Sequence, residues 1–231
     1  MHTTYALKKL EDAPTWASAT ANHIATALSN ALDTHGQALL LVSGGSTPGP
    51  IFDQLSQHPL DWSSITIALV DERWVPDTHE WSNTRLVKER LLKNQAATAN
   101  WLSITSNADS PEAGVAAINA AYEPYKHIPH VVLLGMGADS HTASLFPHMV
   151  NDPAMQTDAC GLYPVASTGN PECPRITFGF GSLIASSALI LAISGQEKLS
   201  VLEAAFQEDA ISPIGAVIQS AEQTTHVFWR P

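Results

Sequence analysis

The residues best equipped for chemistry fall into a few short segments. Ser43-Gly44-Gly45-Ser46-Thr47-Pro48 joins glycines, which let backbone amides approach a ligand, to hydroxyl donors and a proline suited to a first helical turn. A strand, such a loop and a helix start in that order make an anion site. The segment lacks the Gly-Lys-Ser/Thr ending of a Walker A loop and the Gly-x-Gly-x-x-Gly of a dinucleotide fold. Its plain alternative is a tight strand-to-helix turn. Asp71-Glu72-Arg73-Trp74-Val75-Pro76 sets two acids beside an arginine. Arg73 can hold an anion or polarise a carbonyl, with Asp71 or Glu72 fixing its fork. For Glu72 the better reading is a structural ion pair that ties the loop down.

The stretch Gly135–Pro147 places His141 close to Asp139 in a glycine-rich loop. An imidazole oriented by a carboxylate can serve as a general base, and it titrates near ~6.5 unperturbed. The remaining histidines are scattered, and none shows metal-ligand spacing to cysteine or acidic partners. Cations are scarce, which gives weight to two later ones. Arg175 opens an apolar run after a proline-rich loop. Lys198 falls in the first turn of an expected helix, where the dipole disfavours a cation. That placement hints at a bound anion; solvated surface charge is the plain alternative for both.

Apolar runs read as buried strands must position these loops: Ala38–Val42, Ile65–Val70, His130–Gly137, Ala188–Ser194 and the closing His226–Arg230, with a weaker one near Trp101–Ile104. Helical spacing is expected over Pro14–Leu32, ended by Gly36, and over Pro48–Leu55. Further helices follow from Ser82, with Ser82 or Asn83 as N-cap, over Pro111–Tyr122 and over Gln196–Phe206. Continuous apolar strands alternating with helices imply a doubly wound, mostly parallel Rossmann-like α/β sheet with helices on both faces. Ligands of such sheets sit beyond the carboxyl ends of the strands, where the segments above lie.

The chain has 231 residues, enough for one large domain or two small ones, and a single α/β domain over 1–231 is expected. With 22 acidic against 11 basic residues its net charge is −11, which argues against a nucleic-acid partner. No apolar run reaches the ~18 residues that span a bilayer, and the first residues lack the apolar core of a signal peptide. The expectation is a cytoplasmic protein with Cys160 and Cys173 as free thiols, although the pair could bridge. Nothing suggests an obligate interface, so a monomer or a weak homodimer is expected.

Taken together, SGGSTP (Ser43–Pro48), DERWVP (Asp71–Pro76) with WSNTRLVKERLL after it, LLGMGADSHTASLFP (Leu133–Pro147), PRITF (Pro174–Phe178) and SGQEKLSVLEA (Ser194–Ala204) resemble the glucosamine-6-phosphate isomerase/6-phosphogluconolactonase superfamily, on its 6-phosphogluconolactonase side. The segments keep the family's order over nearly the whole chain. The resemblance implies a fold of the sugar-phosphate isomerase/deaminase type. It also implies hydrolysis of 6-phospho-D-glucono-1,5-lactone, a small-molecule substrate, without metal or organic cofactor. His141 would be the base that deprotonates water, Asp139 its orienter, and Arg73 a group over the lactone or its oxyanion. Ser43, Gly44, Gly45, Ser46 and Thr47, with Arg175 and Lys198, would hold the phosphate. Asp71 would be a further substrate contact, and Asn83 would either touch the substrate or support a residue that does.

One departure stands out: the family has Asp-Gly-His where this chain has Asp139-Ser140-His141, so a positive φ at Ser140 would strain the loop. Two rivals are weaker. The related amino-sugar deaminases carry an aromatic residue after the Asp-Glu pair and a glutamate after the histidine; here stand Arg73 and the acid-free TASLFP. A sugar-phosphate sensor would need a DNA-binding segment, and a first strand near Ala38 leaves room for only one helix before it.

Overall fold

The structure, a computed structural model, describes residues 5–128, 130–207 and 210–231. Along the chain these form β1 (Tyr5–Lys9), α1 (Ala13–His35), β2 (Ala38–Val42), α2 (Gly49–Leu55), β3 (Ile65–Leu69), β4 (Asp71–Arg73), α3 (Asn83–Arg90), β5 (Asn100–Trp101) and α4 (Pro111–Tyr122). There follow β6 (His130–Leu134), β7 (Leu162–Thr168), β8 (Cys173–Phe178), α5 (Phe180–Ile184), β9 (Ala188–Ser194), α6 (Gln196–Ala204), α7 (Pro213–Ser220) and β10 (Thr225–Arg230).

The expected sheet is present as seven strands in the order β1-β10-β9-β6-β2-β3-β5, every neighbouring pair parallel. Every residue of β2, β3 and β6 is buried, as a strand covered on both faces requires. Helix α1 shows why such cover forms. Asp12 accepts the Thr15 amide at 2.7 Å, Pro14 sits in the first turn, and Gly36 at φ 73° closes the far end by donating to Leu32. Between the caps, Trp16, Thr20, Ile24, Leu28 and Ala31 bury one face against the core. Truncating a fully buried leucine such as Leu28 or Leu41 to alanine would cost about 2–5 kcal/mol.

The sheets differ from the sequence expectations in two ways, and helices α5 and α7 were not among the expected ones. The first strand is β1, pairing in parallel at the sheet edge with β10, not the strand at Ala38. In addition, β4, β8 and β7 make a separate antiparallel sheet. The chain leaves β3 through Val70 and enters this small sheet at once, the Val70 amide bonding Val42 while its carbonyl takes the Phe178 amide. The small sheet is thereby fixed over the carboxyl ends of the main strands. Both cysteines are free, Cys160 exposed and Cys173 buried. Among the described residues no helix is long and apolar enough to cross a membrane.

Candidate active site

Chain progress reverses across the sheet beside β2, with β3 on one side and β6 on the other, and a crevice opens at that switch point. Of the twelve residues named from the sequence, eleven line one cavity there, of about 280 Å³. Asp139, the twelfth, bonds to His141 on the cavity wall. A larger groove beside Trp74, about 750 Å³, has no basic side chain or histidine in its lining.

The loop after β2 needs its glycines. Asn83 comes so close to Gly44 that a Cβ there would lie 1.9 Å from the Asn83 Cγ. Gly45 takes φ 84° and donates its amide to Asn83 Oδ1 at 3.3 Å. The same oxygen accepts from Arg73 Nη1 at 3.3 Å, so Asn83 joins the glycine loop to the small sheet.

Glu72 builds the other side of that junction, and not through an ion pair. Its Oε1 accepts the amides of Arg73 and Asn83, and its Oε2 accepts the Thr84 amide and the hydroxyls of Ser82 and Thr84. The carboxylate is thus the N-terminal cap of α3, supplied from β4 instead of from Ser82. Burial pushes the Glu72 carboxyl above its usual range, against the pull of the Asn83, Thr84 and Arg73 amides.

Arg73 donates from Nη1 to the Trp81 carbonyl at 2.6 Å, while its buried Nε has no partner among the described residues. Directly across the ladder stands Arg175. Like charges opposite one another destabilise a strand pair, so this juxtaposition favours an anion between them. Arg175 is 4% exposed, held by the carbonyls of Thr168 and Pro171 at 3.1 and 3.0 Å. Its Nη1 lies 3.9 Å from Asp71 Oδ2, an oxygen already taken by the Ser144 hydroxyl at 2.6 Å. Burial draws the Arg175 pKa down; Asp71 opposes this and the Arg73 charge adds to it. Lys198, the third residue of α6, donates to the Met136 carbonyl at 2.7 Å, and burial lowers its pKa against the pull of Glu197 and Asp139. Three cations therefore gather in one cavity of a chain with net charge −11.

The loop after β6 carries the base. His141 Nδ1 lies 2.5 Å from Asp139 Oδ1. An ionised carboxylate only accepts, so Nδ1 bears the proton, and in the neutral imidazole Nε2 is then the nitrogen with the free lone pair. Burial is the largest influence on the Asp139 carboxyl and pushes it up, but the side-chain bond and charge of His141, with the backbone amide bonds, together hold it below its usual range. Gly137 makes room for the pair, since a Cβ there would meet Nδ1 at 2.0 Å. Ser140 takes φ 67°, the left-handed conformation foreseen if serine replaced glycine, and Ala143 takes φ 48°. The Ser140 carbonyl is fixed by the Ile214 amide of α7 at 3.2 Å, and Thr142 bonds the Gly135 carbonyl at 2.9 Å.

The sequence reading did not single out Ser144, which holds Asp71, or Phe146, whose ring stacks on His141 with centroids 4.6 Å apart. Both stand inside SHTASLFP, and only the fold shows what they touch.

Sheet order and cavity together make this a Rossmann-like α/β protein with a basic cleft and an oriented imidazole at its switch point. The sequence profile described as "Glucosamine-6-phosphate isomerases/6-phosphogluconolactonase" matches residues 11–229. The chain belongs to that family. The chain is 40% identical over 220 residues to the 6-phosphogluconolactonase of Pseudomonas aeruginosa, covering 91% of this chain and 89% of that one. The 6-phosphogluconolactonase of Rhizobium meliloti is 38% identical over 219 residues, covering 93% and 94%. A crystal structure of a 6-phosphogluconolactonase from Shewanella baltica superposes over all of both chains with a TM-score of 0.88 at 32% identity. Within its family the chain is therefore an enzyme of the lactone-hydrolase type.

Proposed function

We propose that the chain hydrolyses 6-phospho-D-glucono-1,5-lactone to 6-phospho-D-gluconate, the second step of the oxidative pentose phosphate pathway, with His141 as the base. The observation that carries the mechanism is the Asp139–His141 pair, which leaves Nε2 basic on the wall of a cavity holding Arg73, Arg175 and Lys198. Nε2 takes a proton from water as the water oxygen attacks the lactone carbonyl carbon. The resulting oxyanion is met by Arg73. Collapse reforms the carbonyl and breaks the ring ester bond, and the proton on His141 passes to the departing ring oxygen.

A δ-lactone is already an activated ester, so no covalent nucleophile, metal or organic cofactor is called for. The Ser43–Thr47 loop, Arg175 and Lys198 hold the phosphate, Asp71 keeps Arg175 in place, and Asn83 contacts the sugar. Remote binding of the phosphate then sets the ring beside the base. The reading includes action as one domain in the cytoplasm.

The test is hydrolysis of freshly made 6-phosphogluconolactone by coupled dehydrogenase assay, with the spontaneous rate subtracted. His141→Ala is expected to lower kcat/KM at least ~10²-fold. A loss below threefold would remove His141 from the mechanism. Ammonia release from glucosamine 6-phosphate at matched enzyme concentration would shift the reading to the deaminase branch.

A further inference from the structure

The Asp139 hydrogen bond decides which nitrogen of His141 carries the proton, but a single bond leaves the imidazole plane free to turn about it. The plane is set by what packs against the ring. Gly137 closes on the Nδ1 edge, as its forbidden Cβ shows. The Phe146 ring stacks on the imidazole at 4.6 Å with 29° between the planes. Phe146 is itself 3% exposed. It is confined by Gly169, where an added Cβ would stand 3.0 Å from the Phe146 Cζ. The Arg175 guanidinium lies over the same ring, 5.7 Å from its centroid.

We propose that Phe146 is a positioning residue for the base: it fixes the plane of His141, and its electron-rich face favours the positive charge the imidazole gains on taking a proton from water. The proposal deepens the lactonase reading and rests on His141 as its base. An aromatic face attracts a cation more than a neutral ring, so the contact strengthens as the transition state forms and acts on kcat. Binding is spared, because Arg175 keeps its bonds to the Thr168 and Pro171 carbonyls without Phe146. His148 also stacks near Phe146, at 5.7 Å, but it is exposed and does not line the cavity.

The test is a double-mutant cycle on 6-phosphogluconolactone. Phe146→Leu is expected to lower kcat about tenfold with KM within about twofold, the range an aromatic contact can supply. In the His141→Ala background, assayed at raised enzyme concentration, the same replacement is expected to cost less than about twofold, because no base remains to be positioned. A residue that only props the loop would cost the same factor in both backgrounds, and that result overturns the proposal. So does a kcat for Phe146→Leu within about twofold of wild type. His148→Ala, the control, should leave kcat unchanged. If a thermal melt shows that Phe146→Leu does not fold, Phe146→Met replaces it under the same criteria. An inactive wild type would overturn the lactonase reading and this inference with it; an active wild type beside a fully active Phe146→Leu overturns the inference alone.

Discussion

Ser140→Gly should stabilise the protein. Ser140 holds φ 67° between Asp139 and His141, a conformation that an L residue with a Cβ adopts at a cost of about 1–2 kcal/mol and that glycine adopts freely. Against this, the added freedom of glycine in the unfolded chain gives back about 0.4–1 kcal/mol. The balance is a gain of about 0.5–1 kcal/mol, which for a chain of this length raises Tm by about 1–4 °C. Thermal melts of wild type, Ser140→Gly and Ser140→Ala check it. Alanine keeps the Cβ and hence the strain, so the expected order places glycine highest and alanine level with or below serine. The loop's backbone bonds, Gly137 amide to His141 carbonyl at 2.8 Å and Ser140 amide to Gly137 carbonyl at 3.2 Å, survive the change. Turnover should accordingly stay within about threefold. A Tm for Ser140→Gly at or below wild type would show that the serine hydroxyl contributes more than its backbone loses.

Two further outcomes are expected. Arg175→Ala should raise KM for the phosphorylated lactone at least about tenfold, but for unphosphorylated gluconolactone by no more than about twofold; equal losses on the two would remove Arg175 from phosphate binding. Burial holds the His130 imidazole below its ordinary pKa, beside the Tyr125 carbonyl at 3.1 Å. The unfolded chain then binds more protons, so stability is full at neutral pH and declines as pH falls below about 6.5. His130→Gln should flatten that decline in melts taken between about pH 5 and 7.5, and an unchanged slope would refute the assignment.

The strands that position the cavity were readable because burial on both faces writes itself as unbroken apolar runs, as in Ala38–Val42 and Ala188–Ser194. Strand β1 was not, since its edge position leaves Tyr5–Lys9 unburied, with only Tyr5 and Leu7 partly covered, so no unbroken apolar run marks it. The small sheet escaped for another reason. Its strand β4 is three residues long and its register depends on β8, roughly a hundred residues further on, a pairing that local patterning does not encode. Helix α7 did carry a signal, Ser212 as N-cap before Pro213, in a stretch the reading passed over. Among site residues, glycine loops and unusual cations could be named from type and place. The Glu72 cap could not, because its partners at Asn83 and Thr84 lie across a loop. Nor could the Phe146 stack, whose ring meets His141 only once the chain has turned back on itself.

That borrowed cap ties two segments into one cooperative unit. Helix α3 has no helix start of its own: the amides of Asn83 and Thr84 are satisfied only while Glu72 is seated, and Glu72 is seated only while β4 lies on β8. Local opening cannot release the helix and leave the strand behind, since either event strands a buried carboxylate without its donors. Arg73 and Asn83, which flank Glu72 in this arrangement, therefore arrive in the cavity together and leave it together. Amide exchange at Arg73, Asn83 and Thr84 would share a single protection, and this corner of the cleft would have no half-assembled state.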